Sequence, residues 1–388
     1  MSNAKPVEVA LALWADRHLP ISFFAEQAKT LAACDAVDGV LIADQLVNFI
    51  PKQLWKPEYT PIAGLLKDPD SHSDAFALGA YLAAVAPRLD IALSTDSVRR
   101  GASEVIQYLH TLANMTQGRV CLQIGGGEVK QTKPYGYNRA QGVNRLGDFL
   151  KVYRAMLEAR GEPIDYEGRY WKFEKATLGA AMKRAEIWGL GGGPKLLDHV
   201  TTYGDGIGIS CPPVYGTPAE YAKGRAEILR MVEEKGRDPS TFRFGIWFAV
   251  MMSDDAQQLA GLLENPLTKW LAGVMGRILP EDWKGVGLEP PVPPDWNYFQ
   301  HFLPYETPDA FVEHVVAHTT PEHARKGWMV GSPRQVADQI QGFIDVGADW
   351  VCPMDYLPLL LPPEEAGPAF ERSLELCRLI RERNPPRT

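Results

Sequence analysis

The sequence lacks the features that mark several large classes of protein. No apolar run approaches the roughly 18 residues that a membrane-spanning helix needs, and no charged segment followed by an apolar one opens the chain. The five cysteines among 388 residues show no C-x-x-C spacing, and four of them lie in or beside apolar runs. We therefore expect buried thiols rather than disulfides or zinc ligands, in a cytoplasmic protein without a membrane span.

Positive charge is also in short supply. The chain has 40 Lys and Arg against 48 Asp and Glu, which gives a net charge of −8. Proteins that bind nucleic acid present a basic face to its phosphates, and no such patch is visible here. Nucleic acid is therefore not an expected partner.

The motifs of metalloproteases, serine hydrolases and P-loop enzymes are missing too. The sequence contains no H-E-x-x-H, no G-x-S-x-G and no Walker A spacing. His314 and His318 have H-x-x-x-H spacing, but only apolar residues lie between them and no carboxylate completes a ligand set. We expect no metal site. An organic cofactor is then the expected source of the reactive group.

What the sequence does contain is an alternation of short apolar runs and amphipathic helical segments. Eight such runs, mostly followed by a helix, predict parallel strands joined by right-handed crossovers. The prediction is an α/β fold, a (β/α)8 TIM barrel with insertions at the C-terminal strand ends, as one domain over residues 1–388. The Pro- and Trp-rich stretch 264–307 is too long for an ordinary connection, and we predict an insertion or lid there. The predicted strands are Val7–Trp14, Gly39–Ala43, Leu89–Thr95, Val120–Ile124, Ile187–Leu190, Gly206–Ser210, Phe242–Met252 and Trp350–Cys352.

Two of these strands end in a run of three glycines. The fourth stops at Gly125–Gly127 with Glu128 directly after it, and the fifth stops at Gly191–Gly193 with Pro194 after it. Glycines allow the backbone to approach a ligand closely because no Cβ is in the way. The helix predicted after Pro194 would also offer free N–H groups and a favourable dipole to a phosphate. Taken alone, either stretch is equally compatible with a tight surface turn.

Polar residues follow several of the other strands. In a barrel the active site lies at the C-terminal strand ends, so these side chains would face one ligand. Each one alone has a plainer interpretation, as a cap of the following loop or helix. The set comprises Asp16, Arg17 and His18 after the first strand, Asp44 and Gln45 after the second, and Ser94, Thr95 and Asp96 at the third.

These residues resemble the bacterial luciferase-like superfamily, and within it the oxidoreductases that use the deazaflavin coenzyme F420. The resemblance covers nearly the whole chain and is weakest over about 264–297. Among these oxidoreductases, the sequence resembles the phthiodiolone ketoreductases and, more distantly, the F420-dependent glucose-6-phosphate dehydrogenases. The motifs that carry it are Ala43-Asp44-Gln45, Thr95–Arg100, Gly125–Glu128, Tyr135-Gly136, Gly191–Pro194, Asp205-Gly206 and Val330–Pro333.

The resemblance implies F420 as the cofactor, with FMN as the alternative, and a small-molecule substrate bound by a homodimer. Asp44 would lie beside the deazaflavin ring, and a bulge with a non-prolyl cis peptide near Leu93 and Ser94 would back it. Thr95, Glu128 and Gln131 would contact the ring or its phosphate arm. The phosphate itself would be bound by the turn formed by Gly191, Gly192, Gly193 and Pro194.

Two positions depart from the family's pattern. Gln45 stands where the sugar-phosphate dehydrogenases have a histidine proposed to accept a proton, and an amide cannot titrate. Glu128, and after it His18, are then the candidate acid/base residues. Cys211-Pro212-Pro213 replaces the segment where those enzymes bind substrate phosphate with a lysine. The aromatic insertion therefore favours a larger and more apolar substrate than glucose 6-phosphate.

Three functions are compatible with the sequence. The leading hypothesis is an F420-dependent reductase or dehydrogenase that moves a hydride between deazaflavin C5 and a carbonyl, an alcohol or an activated double bond. The second is an FMN-dependent luciferase-type monooxygenase, which needs dioxygen and a flavin reductase as partner. The third, motivated by Gln45, is a protein of the same fold that carries the cofactor without turnover.

Overall fold

A computed structural model describes residues 6–66 and 68–386, and in this part of the chain we find eleven β-strands and fifteen α-helices. The predicted domain span of 1–388 also includes residues 1–5, 67, 387 and 388, which lie outside the described residues. The strands are β1 (Glu8–Leu13), β2 (Gly39–Ala43), β3 (Asp90–Asp96), β4 (Val120–Gly125), β5 (Ile164–Glu167), β6 (Lys172–Ala176), β7 (Glu186–Leu190), β8 (Gly206–Cys211), β9 (Arg243–Met252), β10 (Met329–Gly331) and β11 (Trp350–Asp355). The helices are α1 (Ile21–Ala33), α2 (Ala75–Val85), α3 (Ala102–Met115), α4 (Val129–Thr132), α5 (Gly142–Ala159), α6 (Pro194–Tyr203), α7 (Pro218–Glu234), α8 (Ala256–Glu264), α9 (Pro266–Met275), α10 (Tyr298–His301), α11 (Asp309–His318), α12 (Pro321–Gly327), α13 (Pro333–Asp345), α14 (Leu357–Leu360) and α15 (Ala366–Arg383).

Eight of the strands form a closed parallel barrel. Their order around it is β1, β2, β3, β4, β7, β8, β9 and β11. The pairing of β11 with β1, in which Trp350 lies opposite Glu8, closes the ring. This is the predicted (β/α)8 TIM barrel, and its eight strands are the eight predicted ones. The largest error at a strand end is at β11, which continues to Asp355 rather than stopping at Cys352.

The lower part of the barrel is filled with side chains. Successive residues of a strand point to opposite faces, so Val40 and Ile42 of β2 pack against the helices while Leu41 points inward. Trp188 and Trp350 meet edge to face inside, with ring centroids 5.8 Å apart. Because the interior is packed here, we expect a ligand site at the C-terminal strand ends, where barrel enzymes have their active sites.

Caps read from the sequence fix the start of several helices. The carboxylate of Asp74 accepts the backbone N–H of Ala77 at the start of α2. Ser332 and Gln335 form a capping box at the start of α13. These local signals explain where the two helices begin. None of the helices among residues 6–66 and 68–386 has the length and apolar character needed to cross a bilayer.

The stretch 264–307, predicted to be an insertion or lid, packs against loops at the C-terminal strand ends. It begins at the end of α8 and contains α9, a 3-10 helix at Pro280–Val286 and α10. Trp270 Nε1 donates to the carbonyl of Phe49 at 3.2 Å, and Lys133 Nζ lies 3.2 Å from Glu306 Oε2. These contacts join the insertion to the loops that follow β2 and β4.

Helices α9, α12 and α13 were not predicted, nor were two strand features of the fold. The hairpin of β5 and β6 is largely exposed and has no continuous apolar run, so no hydrophobic periodicity marks it. β10 has three residues and pairs with the end of β9, outside the barrel ring. A pattern of apolar residues therefore predicts neither the hairpin of β5 and β6 nor β10.

The prediction of a non-prolyl cis peptide near Leu93 and Ser94 is wrong. β3 pairs with β2 from Asp90 to Ser94 and with β4 from Ile91 to Asp96 without a register shift. Its backbone is therefore that of a regular strand, with no bulge. The cis peptide bond found in the described residues joins Cys211 to Pro212.

Candidate active site

Asp44 lies directly after β2, and its carboxylate is buried and hydrogen-bonded to other side chains. It accepts four hydrogen bonds: one from Thr95 Oγ1 at 2.7 Å, one from Arg99 and two from Arg100 at 3.0–3.2 Å. Arg99 also pairs with Asp96. Charge-assisted bonds of this kind compensate the burial of a carboxylate. In this geometry Asp44 and Thr95 fasten the loop before α3 to the end of β2.

Two further predicted cofactor contacts lie on β3. Ser94 points into the barrel, where it lies opposite Gln123 of β4. Leu93 is fully buried and packs against α2, since a Cβ added at Gly79 would lie 3.2 Å from its Cδ2 atom. A ligand in the barrel mouth can therefore reach the side chain of Ser94, but only the backbone of Leu93.

Glu128 lies at the N-terminus of α4, where β4 opens into the mouth. Its Oε2 atom is buried and lies 2.8 Å from the Nζ atom of Lys130, an ion pair without hydrogen-bond geometry. The side chain as a whole is 30% exposed, so Oε1 is the oxygen left accessible to a ligand. Lys130 itself is 1% exposed and donates to the carbonyl of Val47 at 2.9 Å.

Two buried phenols stand near Glu128. Burial raises the pKa of Tyr298 and of Tyr356, and the negative charge of Glu128 raises both further. Both hydroxyls are therefore neutral at physiological pH. A neutral phenol can donate a hydrogen bond to a carboxylate or to a substrate oxygen.

Aromatic rings line the mouth on the side of Tyr356. The ring centroids of Trp14, Phe49 and Trp328 lie 5.3, 5.9 and 4.5 Å from that of Tyr356. We call these four residues the aromatic wall. Trp14 is held in place by a 3.0 Å hydrogen bond from its Nε1 atom to the carbonyl of Asp355. A wall of this kind excludes water and favours apolar ligands.

Gln131 and Gln45 have different environments. The amide of Gln131 is buried, accepts from the backbone N–H groups of Leu46 and Val47, and donates to the carbonyl of Val47 at 2.8 Å. Its role here is to clamp the loop after β2. Gln45 is half-buried, and among the described hydrogen bonds none involves its side chain, which leaves it free for a ligand.

His18 lies apart from these groups. Its ring is 39% exposed, and Nε2 lies 3.4 Å from Oδ2 of Asp68. None of its described contacts is with Glu128 or Gln45. The structure therefore brings Glu128 and Gln45 to the mouth and leaves His18 at the rim.

The second glycine turn forms an exposed helix N-terminus beside the first turn. β4 and β7 are neighbouring strands, and a Cβ added at Gly125 would lie 2.9 Å from the carbonyl of Leu190. Gly193 is the N-cap of α6 and Pro194 its first residue, so the helix begins one residue before its predicted start. The backbone N–H groups of Gly192 and Gly193 make no hydrogen bond within the described residues, and no atom lies within 4 Å of a Cβ added at Gly193. This open N-terminus fits a phosphate.

Sequence reasoning missed three groups of the mouth. Lys130 follows Glu128 by two residues. It lies in the first turn of α4, beyond the strand ends from which the site residues were predicted. Tyr298 and Tyr356 come from segments far away in sequence. Gln123 was visible as a polar residue in an apolar strand: its Oε1 accepts from Trp247 Nε1 at 2.7 Å, while its buried Nε2 has no partner in the described chain.

A second opening lies behind Lys130. We call it the outer cleft; it is lined by Asp70, Lys130, Tyr135, Tyr305 and Glu306 among others and encloses about 540 Å³. The hydroxyl of Tyr305 donates to Asp70 across it. The cleft separates the insertion from the loop after β2. No group of three His, Cys, Asp or Glu side chains among residues 6–66 and 68–386 is arranged to hold a metal ion.

The chain is similar to a known protein family and to proteins of known activity. Residues 55–349 match the family described as "Luciferase-like monooxygenase". The chain is 26% identical over 337 residues to the phthiodiolone/phenolphthiodiolone dimycocerosates ketoreductase of Mycobacterium kansasii, with 85% of this chain and 90% of that protein covered.

Solved structures share the same fold at low identity. An F420-dependent secondary alcohol dehydrogenase in complex with an F420–acetone adduct is 17% identical with a TM-score of 0.71, covering 97% of this chain and 99% of that one. A long-chain alkane monooxygenase is 13% identical with a TM-score of 0.69, covering 100% and 93%. Because the family match spans most of the barrel, the chain belongs to the bacterial luciferase-like family of oxidoreductases.

Proposed function

We propose that the protein is an F420-dependent oxidoreductase that moves a hydride between deazaflavin C5 and the carbon of a carbonyl or alcohol, or an activated double bond. The observation that carries this proposal is Glu128, a carboxylate with one accessible oxygen, near two neutral phenols at the mouth of the barrel. Conversion of an alcohol to a carbonyl needs both a hydride acceptor and a base that takes the hydroxyl proton. The names of the ketoreductase relative and the alcohol dehydrogenase neighbour support the same reaction class.

The residues at the mouth fit a long cofactor that ends in a phosphate. The N-terminus of α6 with Gly192 and Gly193 would hold the phosphate. Gln45, Ser94 and the unpartnered amide of Gln123 would face the polar edge of a ring. When bound, a deazaflavin supplies hydride chemistry at C5 and reacts sluggishly with dioxygen.

The protein's own residues supply the rest of the mechanism. Glu128 accepts the hydroxyl proton of an alcohol at Oε1, or returns it to the developing alkoxide of a ketone. Tyr298 and Tyr356 stay protonated and donate hydrogen bonds to the oxygen that changes charge. The aromatic wall keeps water away from the reacting carbon.

The substrate we propose is fairly apolar. The aromatic wall and the insertion present mostly ring surface, and Pro212 and Pro213 lie where a phosphate-binding lysine would be needed for a sugar phosphate. We propose further that residues 264–307 form a lid in a single domain. We also propose that the protein acts in the cytoplasm as a homodimer, which sedimentation of the purified protein tests.

Cofactor titration is the decisive experiment. We expect F420 to bind the purified protein with a micromolar Kd, followed by fluorescence, and FMN to bind at least tenfold more weakly. Reduction of the bound F420 by a panel of secondary alcohols would then identify the substrate class. Tight FMN binding without F420 binding would overturn the proposal.

An FMN-dependent monooxygenase is the second candidate. The name of the matching family and the long-chain alkane monooxygenase neighbour favour it. This activity would need a flavin reductase as partner. Oxygen consumption that depends on reduced FMN and on an added apolar substrate would support it, whereas F420 turnover without oxygen consumption would reject it.

A further inference from the structure

Lys130 is a buried lysine that the proposed mechanism does not yet use. Its side chain is 2% exposed, and its Nζ atom reaches the Val47 carbonyl and Oε2 of Glu128. Burying an ammonium group is costly unless an opposite charge or good hydrogen-bond acceptors compensate it. Its neighbours must therefore explain why a lysine is there.

The groups around Lys130 leave Glu128 as its counter-charge. His72 lies on the side of the outer cleft, where burial, and then the charge of Lys130, lowers its pKa to about 4, so it is neutral. Asp70 is also nearby, but its carboxylate accepts from the backbone N–H of Asn48 and from the hydroxyl of Tyr305. The anion that Lys130 touches is Glu128.

The groups around Glu128 likewise leave Lys130 as its closest cation. Arg139 lies on the other side, but its Nε atom is committed to the carbonyl of Gly127 at 2.9 Å. Tyr298 and Tyr356 face the carboxylate as neutral phenols. Since Oε2 has no other polar contact in the described chain, Lys130 holds that oxygen in the wall and leaves Oε1 to the ligand.

We propose that Lys130 is a positioning residue for Glu128: its ammonium group contacts Oε2 and holds that oxygen in the wall, so that Oε1 is the oxygen that acts as the base. This inference rests on the proposed function. In alcohol oxidation the substrate O–H bond breaks, the proton moves to Oε1, and the carbinol hydrogen leaves with its electron pair as the hydride.

The test compares Lys130→Met, which removes the ammonium group and keeps most of the length of the side chain, with Lys133→Met as matched control. Lys133 lies at the end of the same helix, but its side chain is 59% exposed and pairs with Glu306. The carboxyl titration of Glu128 is followed by carbon-13 NMR in cofactor-free protein, with the signal assigned by its loss in Glu128→Gln. The pH dependence of single-turnover F420 reduction and the Kd of F420 are measured on the same proteins.

In Lys130→Met we expect the titration midpoint of Glu128 to rise by at least about one pH unit, because a cation in contact is lost. The acidic limb of the rate profile should move by the same amount, while the Kd of F420 changes less than about twofold. Lys133→Met should match the wild type in all three. A folded Lys130→Met protein with an unchanged midpoint and limb would refute the inference.

Stability provides a second measurement should Lys130→Met fold poorly. Glu128→Gln leaves a buried ammonium group without its counter-charge, so its Tm should fall by roughly 5 °C, and adding Lys130→Met should restore it. An unchanged Tm in Glu128→Gln would contradict the pairing. Because the titration and Tm measurements need no cofactor, failure of F420 to bind would overturn the proposed function and leave this test intact.

Discussion

Two carboxylates that look alike in the sequence have opposite environments in the structure. Asp44 and Glu128 each follow a strand that ends at the mouth of the barrel. Arg99 and Arg100, from the loop after β3, surround Asp44, whereas one buried lysine contacts Glu128. At the residue scale, the number of charged partners separates a group that holds the fold together from one that is available for chemistry.

Asp44→Asn should therefore destabilise the protein by roughly 3 kcal/mol, because it leaves two arginines beside a buried neutral amide. Chemical denaturation measures this change in the free energy of unfolding. The control is Asp295→Asn, at an exposed position, which should change stability by less than about 0.5 kcal/mol. Equal effects of the two substitutions would show that the buried cluster around Asp44 contributes nothing special.

His72 should make stability depend on pH in the acidic range. Its pKa falls from 6.5 to about 4 in the folded protein, first because of burial. The unfolded chain then binds a proton more readily, so stability is fully present above pH 6.5 and is lost as pH falls towards 4. The loss is on the order of 3 kcal/mol. In His72→Asn this slope should disappear from stability measured between pH 7 and 4; an unchanged slope would show that other groups cause it.

At the scale of elements, the two glycine turns serve different purposes. A Cβ added at Gly142, the first residue of α5, would lie 1.8 Å from the carbonyl oxygen of Gly126, so the first turn packs against a helix. The second turn has open space around Gly193. The sequence predicted both turns and assigned the phosphate to the second, but not the packing of the first, because its partner Gly142 lies in α5.

Alanine substitutions should separate these two roles. Gly142→Ala should lower the free energy of unfolding by several kcal/mol, since a backbone carbonyl cannot move aside cheaply. Gly193→Ala has ordinary backbone angles and free space, so stability should stay within about 0.5 kcal/mol. Its added methyl group should instead weaken binding of the phosphate-bearing cofactor about tenfold. Unchanged cofactor binding by Gly193→Ala would locate the phosphate elsewhere.

At the scale of the whole molecule, the barrel was predictable because eight apolar runs at suitable spacing allow few other arrangements. The stretch 264–307 contains helices of its own, α9 and α10, and its role as an insertion or lid stays a prediction. The composition of the site was less predictable, because Tyr298 and Tyr356 reach Glu128 only once the insertion and the end of β11 have come together. The cis peptide near Leu93 was predicted from the family resemblance. It is absent, since β3 pairs with both of its neighbours without interruption.

The pH dependence of global stability should reflect two opposing groups. Burial raises the pKa of Asp355 from 3.8 to about 7. The stability that this group contributes is present below pH 3.8 and is lost as pH rises to about 7, by roughly 4 kcal/mol. This slope opposes that of His72 over most of the acidic range. Asp355→Asn should remove it and make the variant more stable than the wild type at pH 8, measured by thermal unfolding; lower stability at that pH would show that the charge is compensated.

The way the barrel closes has a consequence for how the chain folds. The first strand, β1, pairs with the last, β11, and β11 reaches its other neighbour, β9, only after residues 253–349 have been made. Contacts between distant parts of a chain slow folding because a long loop must be ordered before they form. During synthesis β1 therefore has one open edge until the C-terminus emerges. We expect ring closure to be the late, rate-limiting event, and chains that stop before Trp350 to expose that edge and aggregate.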